Sequence, residues 1–204
     1  MNAFIFDVDG TLIDSKDMYM KPLLKVLNAN GYNFVMSDLD QTFGINALDA
    51  VTQLGVKEPQ RIVNEWFGIV DDYKELTHVF PNIKEMLQEL SSDNGNHLAI
   101  ATSKLRTELL RDVEPYGLND YFSAIISSDD VDNGKPAPDM VLKGIEKLNS
   151  TKDNTVYIGD TLYDLEAAHR AGVSFALAGW ETDMADQFKS AEYYLTTPQD
   201  LLTI

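Results

Sequence analysis

Alternating apolar strand patterns and amphipathic helical patterns predict an α/β protein: a parallel sheet with helices on both faces, interrupted after its first strand by a small all-helical insert. Three observations carry this expectation. Short apolar runs recur at residues 3–8, 97–102, 124–127, 155–158 and 174–178. Helical spacings fill most of the gaps between them, and strands alternating with helices of this length pack as parallel crossovers. Residues 15–80 form a gap of another kind, too long for a crossover and helical in pattern, so they are assigned to a separate insert.

The first strand runs from Ala3 to Val8 through Phe4-Ile5-Phe6. In the insert, Met20, Leu23, Leu24 and Leu27 mark one helix, and Ile62, Trp66, Ile69 and Tyr73 mark another, with Trp66 in its core. Pro59 opens the second helix, because a fixed φ and a missing N–H suit a first turn. Ile83, Met86, Leu87 and Leu90 keep the spacing of a helix face before the second core strand, and Val141, Leu142, Ile145 and Leu148 repeat it before the fourth. Joints at Asp14-Ser15 and Val79-Phe80-Pro81 give a core of residues 1–14 and 81–204 around an insert of residues 15–80.

Composition limits what such a protein does. With 44% hydrophobic and 24% charged residues the chain is an ordinary globular one. Its formal charge of -17 argues against a nucleic-acid partner, since a phosphate backbone is held by clustered Lys and Arg. A small anionic substrate would need a metal or a few placed cations. The insert holds six Lys or Arg against nine Asp or Glu and the remainder ten against twenty-four, so the acidic excess belongs to the core.

The absence of cysteine excludes disulfides, thiolate metal sites and a Cys nucleophile. No basic segment precedes an apolar stretch at the N-terminus, where Asp7 and Asp9 stand instead, and no apolar run reaches the roughly eighteen residues of a membrane span. The expected location is cytoplasmic, with no membrane contact.

Every polar cluster of chemical interest lies beside a strand end, where a parallel sheet would gather ligands. Asp7 and Asp9 follow the first strand, Thr102-Ser103 closes the second, Lys135 lies in Gly-Lys-Pro-Ala-Pro before a helix, and Asp160 and Asp164 follow the fourth. Carboxylates for a magnesium ion, a hydroxyl and an ammonium for phosphoryl oxygens, and a spare acid for proton transfer form a coherent set. Each has a bland reading by itself. Asp9-Gly10 is a common turn dipeptide, Thr102 a common helix cap, Lys135 an ordinary loop lysine, and Asp160 and Asp164 suit the first turn of any helix. His78, His97 and His169 lack the spacing of metal ligands and read as surface or structural groups.

Taken together, DVDGT at residues 7–11, the hydroxyl of Thr102, the KPAP lysine Lys135 and the GDxxxD pair Asp160 and Asp164 resemble the four motifs of the haloacid dehalogenase superfamily. The resemblance spans essentially the whole chain and is to the subgroup with a helical cap between the first two core strands. It implies a Rossmann-like core and a Mg²⁺-dependent phosphatase acting on a small phosphorylated metabolite. Asp7 would attack phosphorus and carry an aspartyl-phosphate, while Asp9 would protonate the leaving oxygen and later take a proton from water. The metal would be held by Asp7, the backbone carbonyl of Asp9 and Asp160, with Asp164 supporting its water shell. Thr102, Ser103, Lys135 and Gly10 would bind the phosphoryl group.

Asp9 separates this chain from dehalogenases and phosphonatases, which lack an acid there, and leaves phosphatases and phosphomutases. A β-phosphoglucomutase-like enzyme would carry a His and an Arg where this chain has Tyr19 and Ala47. Hydrolysis is therefore expected over mutase chemistry, and a second phosphate would fall to Lys16, Lys21, Lys57 or Arg61. Phosphoglycolate phosphatase-like enzymes are the nearest likeness, with Ser103 in place of the usual Asn and Pro81-Asn82 in place of Pro-Gly. Asn82 tolerates left-handed backbone angles, so the second joint survives that change. Phe43, Gly44 and Asn46 sit where the subgroup's cap loop descends over substrate, and equally suit a turn opening a helix capped by Asn46. Two other classes remain as alternatives. A receiver-like signalling domain places its phosphorylated Asp later and has no insert, and a catalytically silent binding protein of this fold would not need all four motifs intact.

Overall fold

The computed structural model describes residues 1–180 and 186–204. Two compact units emerge, one made of Met1–Ile13 with Val79–Ile204 and the other of Asp14–His78. The division falls within two residues of the joints read from the sequence.

The first unit is built on β1 (Ala3–Phe6). The chain crosses to the second unit through β2 (Ile13–Asp14). There it forms α1 (Lys16–Ala29), α2 (Met36–Leu39), α3 (Ala47–Gln53) and α4 (Pro59–Phe67), and it returns through β3 (His78–Val79), which pairs with β2. The first unit then continues with α5 (Ile83–Ser92), β4 (His97–Ala101), α6 (Arg106–Asp112), β5 (Ala124–Ile126) and α7 (Asp139–Lys147). It closes with β6 (Thr155–Gly159), α8 (Leu162–Ala171), β7 (Ser174–Ala178) and β8 (Tyr193–Leu195).

Among the described residues the main sheet has six strands in the order β5-β4-β1-β6-β7-β8, and every pairing is parallel. The central strand β1 is buried along its length, with Phe4 opposite Leu98 on one neighbour and Val156 on the other. Period-two alternation sorts its residues between the two faces. Phe4 and Phe6 join Ile100, Val156 and Ile158 beneath α5, while Ala3 and Ile5 join Ala99, Tyr157 and Phe175 beneath α7 and α8. The chain moves outward from β1 to β4 and β5, then returns to β6 on the other side. That reversal places a crevice at the carboxyl ends of β1 and β6, where ligands of open α/β sheets bind.

The second unit buries Leu23, Leu27, Leu39, Ile62, Trp66 and Val70 in its own core. Pro59 does open α4, and Trp66 is 3% exposed, its indole N–H donating to the Tyr19 carbonyl at 2.9 Å.

Three details differ from the sequence reading. The helix marked by Ile62 and Trp66 stops at Phe67, and Tyr73 lies in a separate 3₁₀ segment, Val70–Leu76. Gly68 follows directly and lacks the side-chain packing that would favour continuation. Leu142 is exposed on α7 instead of facing the core, because only Met140, Val141, Gly144 and Ile145 of that helix are buried. Finally, β8 was not read as a strand, since its Tyr193-Tyr194-Leu195 core is too short to show a period.

Candidate active site

Asp7 is the first residue beyond β1, and its N–H donates to the Ile158 carbonyl at 2.9 Å, so the β1–β6 ladder fixes its backbone. The chain then turns sharply. The Val8 carbonyl accepts from the N–H groups of Thr11, Leu12 and Ile13, and Gly10 adopts φ 79. Glycine is required here twice over, because a Cβ would lie 2.1 Å from Asp160 Oδ2 and the left-handed backbone disfavours side chains. The turn thereby brings the end of β1 against the end of β6.

At the end of β6, Asp160 accepts a hydrogen bond from the Thr11 hydroxyl at 3.1 Å. Asp164 belongs to the first turn of α8 and is fully buried. Its Oδ2 accepts from the Thr161 N–H at 3.0 Å and the Thr161 hydroxyl at 2.6 Å, a capping arrangement that also holds the helix start. Its Oδ1 lies 3.1 Å from the Tyr157 hydroxyl. Close approach of Asp164 depends on Gly159, where a Cβ would sit 2.5 Å from the Asp164 Cβ.

Lys135 completes the group. Its ammonium is buried and sits 2.7 Å from Asp7 Oδ1 and 2.7 Å from Asp164 Oδ1, with the Tyr157 ring centroid 5.5 Å away. The loop that delivers it is tethered, since Arg170 on α8 donates to the Pro136 carbonyl at 3.1 Å. Burial alone would push the lysine toward neutrality, but Asp164 and Asp7 pull the other way and keep it protonated. Asp7 is pushed up to about 7, chiefly by burial, with Asp164 and Asp9 adding to the rise and Lys135 opposing it. Burial likewise pushes Asp160 well above the usual carboxylate range, aided by Asp164 and Asp7.

Carboxylate oxygens of Asp7, Asp160 and Asp164 all lie within 4.8 Å of one another. One ammonium stands among three acids, so with all three ionised two negative charges would be unmatched. This arrangement fits a divalent cation with oxygen preference and would relieve the repulsion that raises Asp7 and Asp160. No histidine belongs to such a group among the described residues.

Thr102 lies one residue beyond β4, is 1% exposed, and its hydroxyl accepts from the Lys104 N–H at 3.2 Å. Ser103 follows at a half-buried position. Asp9 faces a group that the motifs did not single out: its Oδ1 lies 3.0 Å from the buried ammonium of Lys104. A lysine two residues after Thr102 looks like any surface lysine in sequence, and only α6 packing against it reveals its burial. Thr11, Tyr157 and Thr161 were similarly given no site role, although Thr11 within DVDGT and Thr161 at the helix start both carried a signal.

The remaining sequence candidates belong to the second unit. Asn46 caps α3 by accepting from the Asp49 N–H at 3.0 Å. Phe43 is 9% exposed and packs in that unit's own core, while Gly44 has φ 89. Tyr19 is buried against Trp66, with ring centroids 6.2 Å apart.

Residues 4–178 match the family model of haloacid dehalogenase-like hydrolases. The chain belongs to that family. The pyrophosphatase PpaX of Oceanobacillus iheyensis is 26% identical over 207 residues, covering 100% of this chain and 96% of that one. A crystal structure from Lactobacillus plantarum, solved as a candidate phosphoglycolate phosphatase, superposes with a TM-score of 0.90 at 29% identity over 100% of this chain and 99% of its own. A candidate β-phosphoglucomutase from Thermotoga maritima, 24% identical with a TM-score of 0.78 over 100% of this chain and 97% of its own, shares the fold. As a family member with such relatives, this chain is a hydrolase of the phosphatase type. Among its described residues no helix is long and apolar enough to cross a membrane.

Proposed function

We propose that the protein is a Mg²⁺-dependent phosphatase that cleaves a small phosphorylated metabolite through an aspartyl-phosphate on Asp7. The observation that carries this reading is the Asp7–Lys135–Asp164 bridge beside Asp160. It gathers three carboxylates around one ammonium, an excess of acid that a divalent ion would neutralise. Asp7 and Asp160 would hold the ion with the Asp9 backbone carbonyl, and Asp164, already engaged by Thr161 and Tyr157, would support it. When bound, the ion supplies charge neutralisation that lets an anionic nucleophile approach a phosphate.

The chain's own groups then have distinct tasks. A carboxylate oxygen of Asp7 forms a bond to phosphorus as the bond to the leaving oxygen breaks, and Asp9 gives that oxygen a proton. In the second half, Asp9 takes a proton from water as the water oxygen bonds to phosphorus and Asp7 is released. Lys135 and Thr102 fix and neutralise the other phosphoryl oxygens, the positioning that supplies most of the catalysis in phosphoryl transfer.

Pyrophosphate and phosphoglycolate are the first substrates to test, because relatives carry those names. A phosphate-release screen over both, with sugar phosphates and nucleotides, is expected to show turnover with Mg²⁺ that disappears with a chelator and in Asp7→Asn. Turnover that survives Asp7→Asn would remove the nucleophile from this account. Interconversion of glucose phosphate isomers without release would replace it with the mutase reading.

A further inference from the structure

We infer that Lys104 is a positioning residue that sets the carboxylate of Asp9 for proton transfer; this rests on the acid–base role proposed above for Asp9. The residue is not a surface lysine. It is 4% exposed, and its ammonium lies 3.0 Å from Asp9 Oδ1 and 3.0 Å from Asp112 Oδ2. Burying an ammonium so deeply is costly unless it is paired and hydrogen-bonded.

Its placement is built from both ends. The Lys104 carbonyl accepts from the Ser128 N–H at 2.9 Å and the Ser128 hydroxyl at 3.1 Å, which ties its backbone to the loop after β5. On the other side, Glu108 and Asp112 are four residues apart on α6, hence on one helix face, and both are buried. Glu108 accepts from the Leu105 N–H at 2.6 Å and holds the helix start, while Asp112 reaches Lys104.

Asp112 does not need the lysine for neutralisation. Arg111 already meets it at both oxygens, Nε to Oδ1 at 2.6 Å and an Nη to Oδ2 at 3.0 Å. Asp112 therefore anchors the ammonium, which also lies near enough to the buried Glu108 carboxyl to act on it, and the contact that reaches toward the proposed site is the one with Asp9. A chain of ion pairs, Arg111 to Asp112 to Lys104 to Asp9, runs from a partly exposed arginine to the proposed acid–base group. Asp9 stands just two residues from Asp7, where a carboxylate swinging toward the other acids would meet repulsion. Holding one oxygen on Lys104 removes that freedom.

The test uses leaving groups, since a merely structural lysine would change all substrates alike. Phenolate is a poor leaving group and needs a proton, whereas 2,4-dinitrophenolate departs without one. The ratio of kcat/KM for phenyl phosphate to that for 2,4-dinitrophenyl phosphate reports proton donation to the leaving oxygen. It is independent of how much of the preparation is folded, because both rates come from one sample. Loss of a positioned acid costs about 10²–10⁴-fold where the proton is needed. Asp9→Asn should therefore lower the ratio by roughly that amount, and Lys104→Met should lower it by about 10-fold or more. A Lys104→Met ratio equal to wild type, with the Asp9→Asn ratio lowered, would overturn the inference and leave Asp9 as the acid. An unchanged ratio in Asp9→Asn would overturn the role of Asp9 and this inference with it.

Discussion

The two units of this protein handle charge in opposite ways. In the first, Asp7, Lys104, Glu108, Asp112, Lys135 and Asp164 are buried. In the second, no charged side chain is buried among the described residues, and its ion pairs are exposed ones such as Lys16 with Asp40, Lys21 with Asp17 and Arg61 with Glu65. Buried charge is costly and persists only where pairing compensates it, whereas exposed pairs contribute little. The contrast sets the buried, paired charges in the sheet unit and makes the helical unit a structure held by apolar packing. It also shows that the second-phosphate candidates Lys16, Lys21 and Arg61 are already engaged with neighbouring acids.

Breaking the buried cluster should have the largest effect. Asp7→Asn is expected to lower turnover of any substrate found in the screen by about 10⁴-fold or more, as loss of a covalent nucleophile does. Retention of measurable burst kinetics would contradict this. Lys135→Met should lower kcat by about 10²–10³-fold through loss of one preorganised cation. It should also destabilise the fold by about 3–5 kcal/mol, since two buried carboxylates lose their partner. Denaturant titration separates that loss from the kinetic one.

In the helical unit the corresponding lesion is apolar. Trp66→Ala is expected to cost about 3–5 kcal/mol and to appear as an early urea transition, with Asp7 chemistry intact in the remaining folded fraction. A shift as small as 1 kcal/mol would mean that the tryptophan is not the keystone of its cluster.

Smaller effects sharpen the surface side of the comparison. Burial pushes the Asp130 carboxyl up, but hydrogen bonds from the Ser127 N–H and hydroxyl, together with Arg106 and Lys143, outweigh it and leave the carboxyl below its usual 3.8. A depressed carboxylate contributes stability above its unfolded value, and that contribution is lost as pH falls through the folded one. Asp130→Asn should therefore cost up to about 1 kcal/mol at neutral pH, a cost that fades as pH falls through the folded value of the carboxyl. Arg61→Ala, which removes exposed pairs with Glu58 and Glu65, should change stability by no more than about 0.5 kcal/mol.

Much of the fold was legible because its signals are local. Five of the six strands described in the main sheet have apolar runs, and the helical patterns without a convincing strand after Asp14 marked the insert. Asn82, read as tolerant of left-handed geometry, does adopt φ 68. What escaped was short or dependent on distant packing: β8 is three residues long, and the outward turn of Leu142 depends on how α7 lies against the sheet.

The sequence by itself determined which chemistry this protein can carry. Two acids after one strand, a hydroxyl after the next, a proline-fenced lysine and a second acid pair are covalent facts, and their order identifies the motif set. Only the tertiary structure decided how these charges balance. Whether Lys135 bridges two acids, whether Asp160 crowds Gly10, and whether Lys104 is a surface group or a buried partner of Asp9 all depend on burial and distance. The physical reason is that charge interactions are set by separation and by exclusion of water, and residues far apart in the chain acquire both only when the sheet brings their strand ends together.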